Sequence, residues 1–508
     1  MNEPVQSPCR AYRVLRGFFW SVGALLFLLL ALFSLIVTAY YPPDYSETPW
    51  FSFSALLPVA FCAALCWVLL WLWDQKIGIE RINLRVLTVV MLIYTFIVPL
   101  LWVIGARDIP GADMAFVSSN AVQMLEGNYT LLSPTKYFSQ FPFQLGISSL
   151  LAFFRVLFRD GYLFAYQVFN ALCCPPLFLL CVKLTHLLFR SKKAEVLACL
   201  LCMCSLPVML CCTLIYGTIV SILLCVFALY GALRAVRHDG KQWYCLSLLS
   251  IVLAVLLKPN STVFLIGILL LFCFTALQNK SWRPLVWVIV FLVCLLFSKE
   301  ALLRYYETKS GYDLHSGESQ LAWVAMGLQE GPLAPGWFNF YVDTIYAKNN
   351  ADAAAIKEQS LQSIRDSAVN FLRSPGYALR FFSAKLASEW CEPTYAGFWV
   401  SEPDEGQERS VSDTMMQLYY GTPHTVLVSA LDTVQLLLFS GAACCLWKRR
   451  KTLSLSALTP VIIIAGGFLY HLIAEGKSLY ILPYTVLLLP YAACGLAHLT
   501  EFTFKKRG

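Results

Sequence analysis

Charge is scarce in this chain: Asp, Glu, Lys and Arg make up 13% of its 508 residues, against about 25% in an ordinary soluble domain. A soluble fold is excluded. Also missing are the glycine-rich phosphate loop with its Lys-Ser/Thr ending, His-Glu-x-x-His, Gly-x-Ser-x-Gly and Gly-x-Gly-x-x-Gly, which removes nucleotide-driven transport and the common soluble-enzyme chemistries. Histidine is rare, and the six present (186, 238, 315, 424, 471 and 498) do not recur at metal-ligand spacing. Cysteine is plentiful at 19 residues, but all except Cys9 and Cys391 lie in or beside apolar runs. Pairs such as Cys173-Cys174 and Cys199-Leu-Leu-Cys202 read as small apolar side chains between helices. A lone Cys391 in the polar part of the chain argues against a disulfide framework.

What fills the chain is apolar: 58% of residues are hydrophobic, with a mean hydropathy of +0.65. Apolar runs of about 20 residues recur, each long enough to cross a hydrocarbon core of about 30 Å. The expected fold is all-α and integral to the membrane.

Topology follows from the basic residues, which collect on the cytoplasmic side of a bilayer. Residues 301–424 hold 9 Lys/Arg and 15 Asp/Glu, a net −6, whereas the rest of the chain carries +14. Runs at about 18–39, 51–73 and 86–105 are the first three spans, with Arg10, Arg13 and Arg16 and the connector 74–85 inside. The first run is too long for the core of a cleaved signal peptide. Between the outer loop that follows and the basic cluster Arg190, Lys192 and Lys193 there must be an odd number of crossings, so 162–189 is read as a span and 141–158 as a re-entrant or outer-leaflet helix. Further runs at about 194–210, 213–233, 243–257, 260–277, 284–298, 426–447, 454–474 and 479–499 complete twelve crossings, with both termini cytoplasmic.

The chain then divides into an N-terminal two-span hairpin (1–85), a transmembrane core (86–300) with a first outer loop at 106–160, an extracytoplasmic loop domain (301–424) and a three-span C-terminal segment (425–508). Ala353, Ile356, Leu361, Ile364, Ala368 and Phe371 recur at helical spacing, and Ser374-Pro375 is a start signal for a second helix, so 301–424 is expected to form a small helical cap. The outer face collects the loop with Asp108 and Asp113, the hinge Lys258-Pro259-Asn260, the polar segment and Glu475-Gly476-Lys477. Charges beside spans persist most easily at an interface or cavity.

After Pro110-Gly111, residues Met114, Val117, Ala121, Met124 and Leu125 form the stripe of a helix lying on a membrane surface. Asp113, at its start, is either a helix N-cap or a carboxylate facing a cavity; residue type alone leaves both open. Arg107, Lys258 and Lys477 stand at outer span ends, where a phosphate-binding role competes with interfacial snorkelling.

An acidic residue beyond an early span, the surface helix ending Met124-Leu125-Glu126-Gly127-Asn128, and Tyr137-Phe138-Ser139-Gln140-Phe141-Pro142-Phe143-Gln144-Leu145-Gly146 together resemble the GT-C superfamily of membrane glycosyltransferases. The similarity is to the bacterial branch related to protein O-mannosyltransferases and lipid A aminoarabinose transferases. Leu257-Lys258-Pro259-Asn260, Pro375 with Lys385 and Trp390, and Glu475 to Tyr480 with Pro483 extend it over most of 86–500.

The resemblance implies a GT-C-like bundle in a bacterial cytoplasmic membrane and an active site on its outer face. It implies transfer of a sugar from a polyprenyl phosphate to a hydroxyl of a lipid, envelope glycan or protein, with no nucleic-acid partner. Asp113 takes the role of catalytic base, with Asp108 in reserve. Arg107, Lys258, Glu475, Lys477 and Tyr480 are the expected donor-phosphate or substrate contacts. The second outer loop, 207–218, has no acidic residue, so no metal ligand is assigned and a divalent cation stays an open cofactor. Glu402, Asp404, Glu405 and Glu408 could hold a cation but read more simply as a solvated acidic turn. The Trp-Trp-Asp signature of oligosaccharyltransferases is absent. An envelope polysaccharide polymerase or ligase, and a lipid or sugar transporter, are the competing readings.

Overall fold

The computed structural model describes residues 10–42, 47–53, 56–106, 110–237, 240–315, 317–402 and 411–501. Its helices are, in order, α1 (Arg10–Ile36), α2 (Leu56–Lys76), α3 (Leu84–Ala106), α4 (Ala112–Gln123), α5 (Tyr137–Gln140), α6 (Leu145–Phe158), α7 (Tyr162–Phe189), α8 (Lys192–Cys204), α9 (Leu206–Leu210), α10 (Thr218–Ala235) and α11 (Lys241–Leu257). There follow α12 (Thr262–Asn279), α13 (Arg283–Ser310), α14 (Gln320–Gly327), α15 (Tyr341–Lys348), α16 (Ala353–Arg373), α17 (Pro375–Trp390), α18 (Asp413–Tyr420), α19 (Thr422–Arg449), α20 (Thr459–Ile473) and α21 (Ser478–Thr500). A two-stranded antiparallel ribbon, β1 (Thr38–Tyr40) with β2 (Trp50–Ser52), joins α1 to α2. This is an all-α membrane protein.

Among the described residues ten helical stretches are long and apolar enough to span; α8 with the 206–213 segment, bent by 46°, would be an eleventh, and α11 is a shorter apolar helix. Residues 142–189 count as one such stretch. Within it, Phe154 packs on Phe169 at 5.4 Å, fifteen residues further on, whereas a continuous helix would separate the two by about 22 Å. α6 therefore folds back along α7.

Lipid-facing and buried helices are distinguishable by what surrounds them. α2 and α13 leave Leu57, Phe61, Ile289, Val293, Leu296 and Phe297 exposed, which suits hydrocarbon as the solvent. α21 is the buried centre, and small residues let α19 approach it: a Cβ added at Gly495 would lie 1.8 Å from the Gly441 carbonyl oxygen. With no hydrophobic drive between helices in lipid, such close backbone contact is what holds them together. Gly495→Ala should therefore destabilise the bundle by about 1–3 kcal/mol, read as an earlier thermal melt of the detergent-solubilised protein.

The basic segments meet at one end of the bundle. Arg16 donates to the Arg450 carbonyl at 2.7 Å, Lys193 pairs with Asp74 at 2.5 Å, and Arg449 Nε contacts His498 Nε2 at 3.1 Å. α1 begins there and ends at the ribbon, where Ala39 N–H donates to the Cys391 carbonyl at 2.9 Å. The opposite end thus gathers α4, the hinge after α11, the turn between α20 and α21, and α14–α18. α16 is capped by Asp352, whose carboxylate accepts from Ala354 N–H at 2.9 Å and Ala355 N–H at 3.3 Å. α17 starts with Pro375, which suits a first helical turn. Ala322, Met326, Val342, Ile345 and Ile356 form a small core together with Phe141 of the first loop, so the polar segment packs on that loop.

Candidate active site

α4 sets the first group. Gly111, not Asp113, holds the N-cap position, and no side chain caps the helix. Ala112 takes a left-handed φ of 44°, which for an alanine costs about 1–2 kcal/mol. Of the two roles open to Asp113, capping is thus taken by another residue. The Asp113 side chain is exposed yet has protein around it: desolvation raises its pKa above the ordinary aspartate value, while Tyr137, Lys477 and Lys258 pull it down and Glu47 pushes it up. Tyr137 stacks on Phe116 at 4.5 Å. Its hydroxyl oxygen is buried beside Asp113 but has no hydrogen bond of good geometry.

Lys258 ends α11 in an extended conformation, with Pro259 opening the next helical turn. Two glycines fix this hinge: a Cβ at Gly146 would lie 1.9 Å from the Leu256 carbonyl oxygen, and one at Gly217 2.4 Å from that of Leu257. Lys258 Nζ lies 4.2 Å from the Tyr216 ring centre and 5.6 Å from that of Tyr480, a cation–π clamp. Gln144 donates to the Tyr216 hydroxyl. Burial lowers the Lys258 pKa to about 8 against the opposing pull of Asp113 and Glu475.

The turn before α21 supplies the third element. Burial raises the Glu475 pKa to about 7, with Lys477 lowering it and Asp113 raising it. The Tyr480 hydroxyl lies 3.4 Å from both Glu475 oxygens. Lys477 forms its ion pair with Glu47 rather than with Glu475, and its Nζ sits 4.0 Å from the Trp399 ring centre. The amine of Lys477 is thus held by Glu47, from the segment before β2, while Lys477 acts on Glu475 through its charge.

Asp113, Lys258, Glu475, Lys477 and Tyr480 thus come together, each acting on the titration or orientation of another. Arg107 and Asp108 lie outside the described residues, as do Asp404, Glu405 and Glu408. Tyr137 lies in the Tyr137–Gly146 motif and Tyr216 in the second outer loop, 207–218, while Glu47, in a bend before β2, and Trp399, opening a single helical turn, carry no local signal. Beside the cleft, Gln140 donates to Asp343 at 3.1 Å and to Glu318 at 3.4 Å, and burial raises the Glu318 pKa to about 7.

The site's carboxylates are interleaved with lysines. Among the described residues, the group with metal-like convergence is Glu307, Asp313 and His315, whose ligand atoms lie within 4.8 Å of one another. Its imidazole is already engaged, by Glu307 at 2.7 Å and Glu300 at 3.1 Å.

The fold defines a multi-pass membrane protein, with Asp113, Lys258, Glu475 and Lys477 gathered at one end of the bundle. Residues 145–301 match the family model described as dolichyl-phosphate-mannose-protein mannosyltransferase, which fits a membrane glycosyltransferase of the GT-C superfamily. No curated protein matches the chain. A membrane glycosyltransferase, mannosyltransferase-like, is what the match supports. The matched stretch runs from α6 into α13 and so contains Gly146, Tyr216 and Lys258, but neither Asp113 nor Lys477.

Proposed function

We propose that the protein transfers a sugar from a polyprenyl phosphate to a hydroxyl of a lipid, envelope glycan or protein, on the side of the membrane away from its basic connectors. The positive-inside tendency makes that side extracytoplasmic. One arrangement supports the reading: a carboxylate from the first outer loop and two amines from segments near residues 258 and 477 lie within electrostatic reach of one another.

Asp113 accepts the proton of the acceptor hydroxyl. The acceptor oxygen bonds to the anomeric carbon as the bond from that carbon to the phosphate oxygen breaks, inverting the centre. The departing phosphate is a stable anion that needs no proton, so one carboxylate suffices, unlike the pair that hydrolyses a glycoside. Lys258 and Lys477 offset the charge building on it, an effect strongest in a site poor in water. Glu47 is the group that the donor phosphate would displace from Lys477.

The test is transfer of label from a polyprenyl phosphate sugar by the purified protein in the presence of membrane or envelope extract, with a diphosphate-linked donor in parallel. Product from the monophosphate donor alone supports the proposal. Product only from the diphosphate donor points to a polymerase or ligase. Flux in proteoliposomes without any acceptor, and no product from either donor, would mark a transporter.

A further inference from the structure

α17 sends two ionisable side chains underneath the cleft. Lys385 is wholly buried, and its Nζ donates to the carbonyls of Gly327 and Ala474, each at 2.6 Å. Those carbonyls stand at the C-terminal ends of α14 and α20, where a cation is favoured. One helical turn on, Glu389 is 1% exposed, and its Oε1 has no hydrogen-bond partner.

Nothing larger than glycine fits above them. A Cβ at Gly476 would lie 2.0 Å from Glu389 Oε1, and one at Gly336 would lie 2.6 Å from Lys385 Nζ. Gly476 N–H donates to the Gly336 carbonyl at 2.9 Å. Glu475 and Lys477, on either side of Gly476, are therefore carried by a turn whose underside rests on this pair.

Stability alone is a poor reason for burying the two groups. Taking ionisable groups out of water is costly unless close pairing and full hydrogen bonding repay it, and Glu389 Oε1 has no hydrogen-bond partner to do so. We infer that Lys385 and Glu389 are positioning residues, which join the polar helical segment to α20 and hold the 474–477 turn so that Glu475 and Lys477 meet the donor phosphate. This rests on the function proposed above.

The double variant Lys385→Met with Glu389→Gln removes both ionisable groups at nearly constant volume and leaves neither one buried without the other. Gly476→Ala is a second, independent wedge against the same contact. In full-length protein in detergent, two readouts are taken: amide hydrogen exchange of the peptide covering 474–477, and steady-state transfer from a polyprenyl phosphate sugar. The expected result is a thermal melt close to wild type and exchange about tenfold faster or more. In the same variants kcat should fall on the order of 10- to 100-fold, as for a misplaced positioning group, with KM for the acceptor unchanged. Unchanged exchange in both variants overturns the inference, as does faster exchange with unchanged kcat. Should the wild type transfer nothing from this donor, the proposed function fails, and the exchange measurement still decides whether the pair holds the turn.

Discussion

Asp113→Asn should lower kcat by about 10²- to 10⁴-fold, the range typical of a general base, while the protein melts where the wild type does. The substitution keeps volume and polarity at a position that caps nothing, so the helix has little reason to notice it. In the proposed mechanism the acceptor hydroxyl, by contrast, loses the group that takes its proton. Asp113→Glu, which retains a carboxylate on a longer stem, should recover part of the rate.

The wild-type pH profile carries the same signature. A base works only when deprotonated, so the rate must fall as pH drops through its pKa. Desolvation raises the Asp113 value, which places the acid limb of kcat/KM above the range of an ordinary aspartate. The limb should vanish from the residual activity of Asp113→Asn. An Asn variant with wild-type rate would take Asp113 out of the mechanism, whatever else the cleft does.

Much of the architecture is legible because lipid imposes it. Backbone groups must be satisfied internally within a bilayer, so long apolar runs become helices whatever their partners, and basic connectors sort the ends. Parity of the basic connectors marks the stretch 141–158 as the one that departs from the regular alternation, although Arg155 and Arg159 at its end favour the cytoplasmic side. Arg155 pairs with Asp160 and lies 5.6 Å from the Tyr162 ring centre, and this local pairing blunts its topological weight.

The cleft is only partly legible. Asp113, Lys258 and Lys477 each sit beside a helix-breaking Pro or Gly at a span end, which is a local signal. Glu47 has none: its partner Lys477 is 430 positions away in sequence, and nothing near residue 47 marks it. Nor could spacing reveal that Gly146 and Gly217 press on the backbone just before Lys258; two glycines in separate segments acquire that meaning only once α6, α10 and α11 are packed. Capping is a similar case. An aspartate near a helix start reads as a cap by frequency, and only the backbone, with Gly111 in that place, shows that the carboxylate is not used for capping.

Lys258→Met should cost transfer about 10²- to 10³-fold, the scale for deleting one group that stabilises charge developing in a transition state. The amine is held between the Tyr216 and Tyr480 rings and faces both Asp113 and Glu475, so its charge is concentrated where little water screens it. Its lowered pKa of about 8 has a consequence of definite sign. In the proposed mechanism the ammonium form is the one that offsets phosphate charge, and it prevails below that pKa; wild-type activity should therefore decline as pH rises through about 8, well before an exposed lysine would titrate. Lys258→Arg tests the cause separately from the size of the effect. A guanidinium stays charged over this whole range, so the variant, even if slowed by crowding between the two rings, should show no fall near pH 8. An alkaline limb that persists unchanged in Lys258→Arg would assign that titration to another group and leave Lys258 as a structural cation of the hinge.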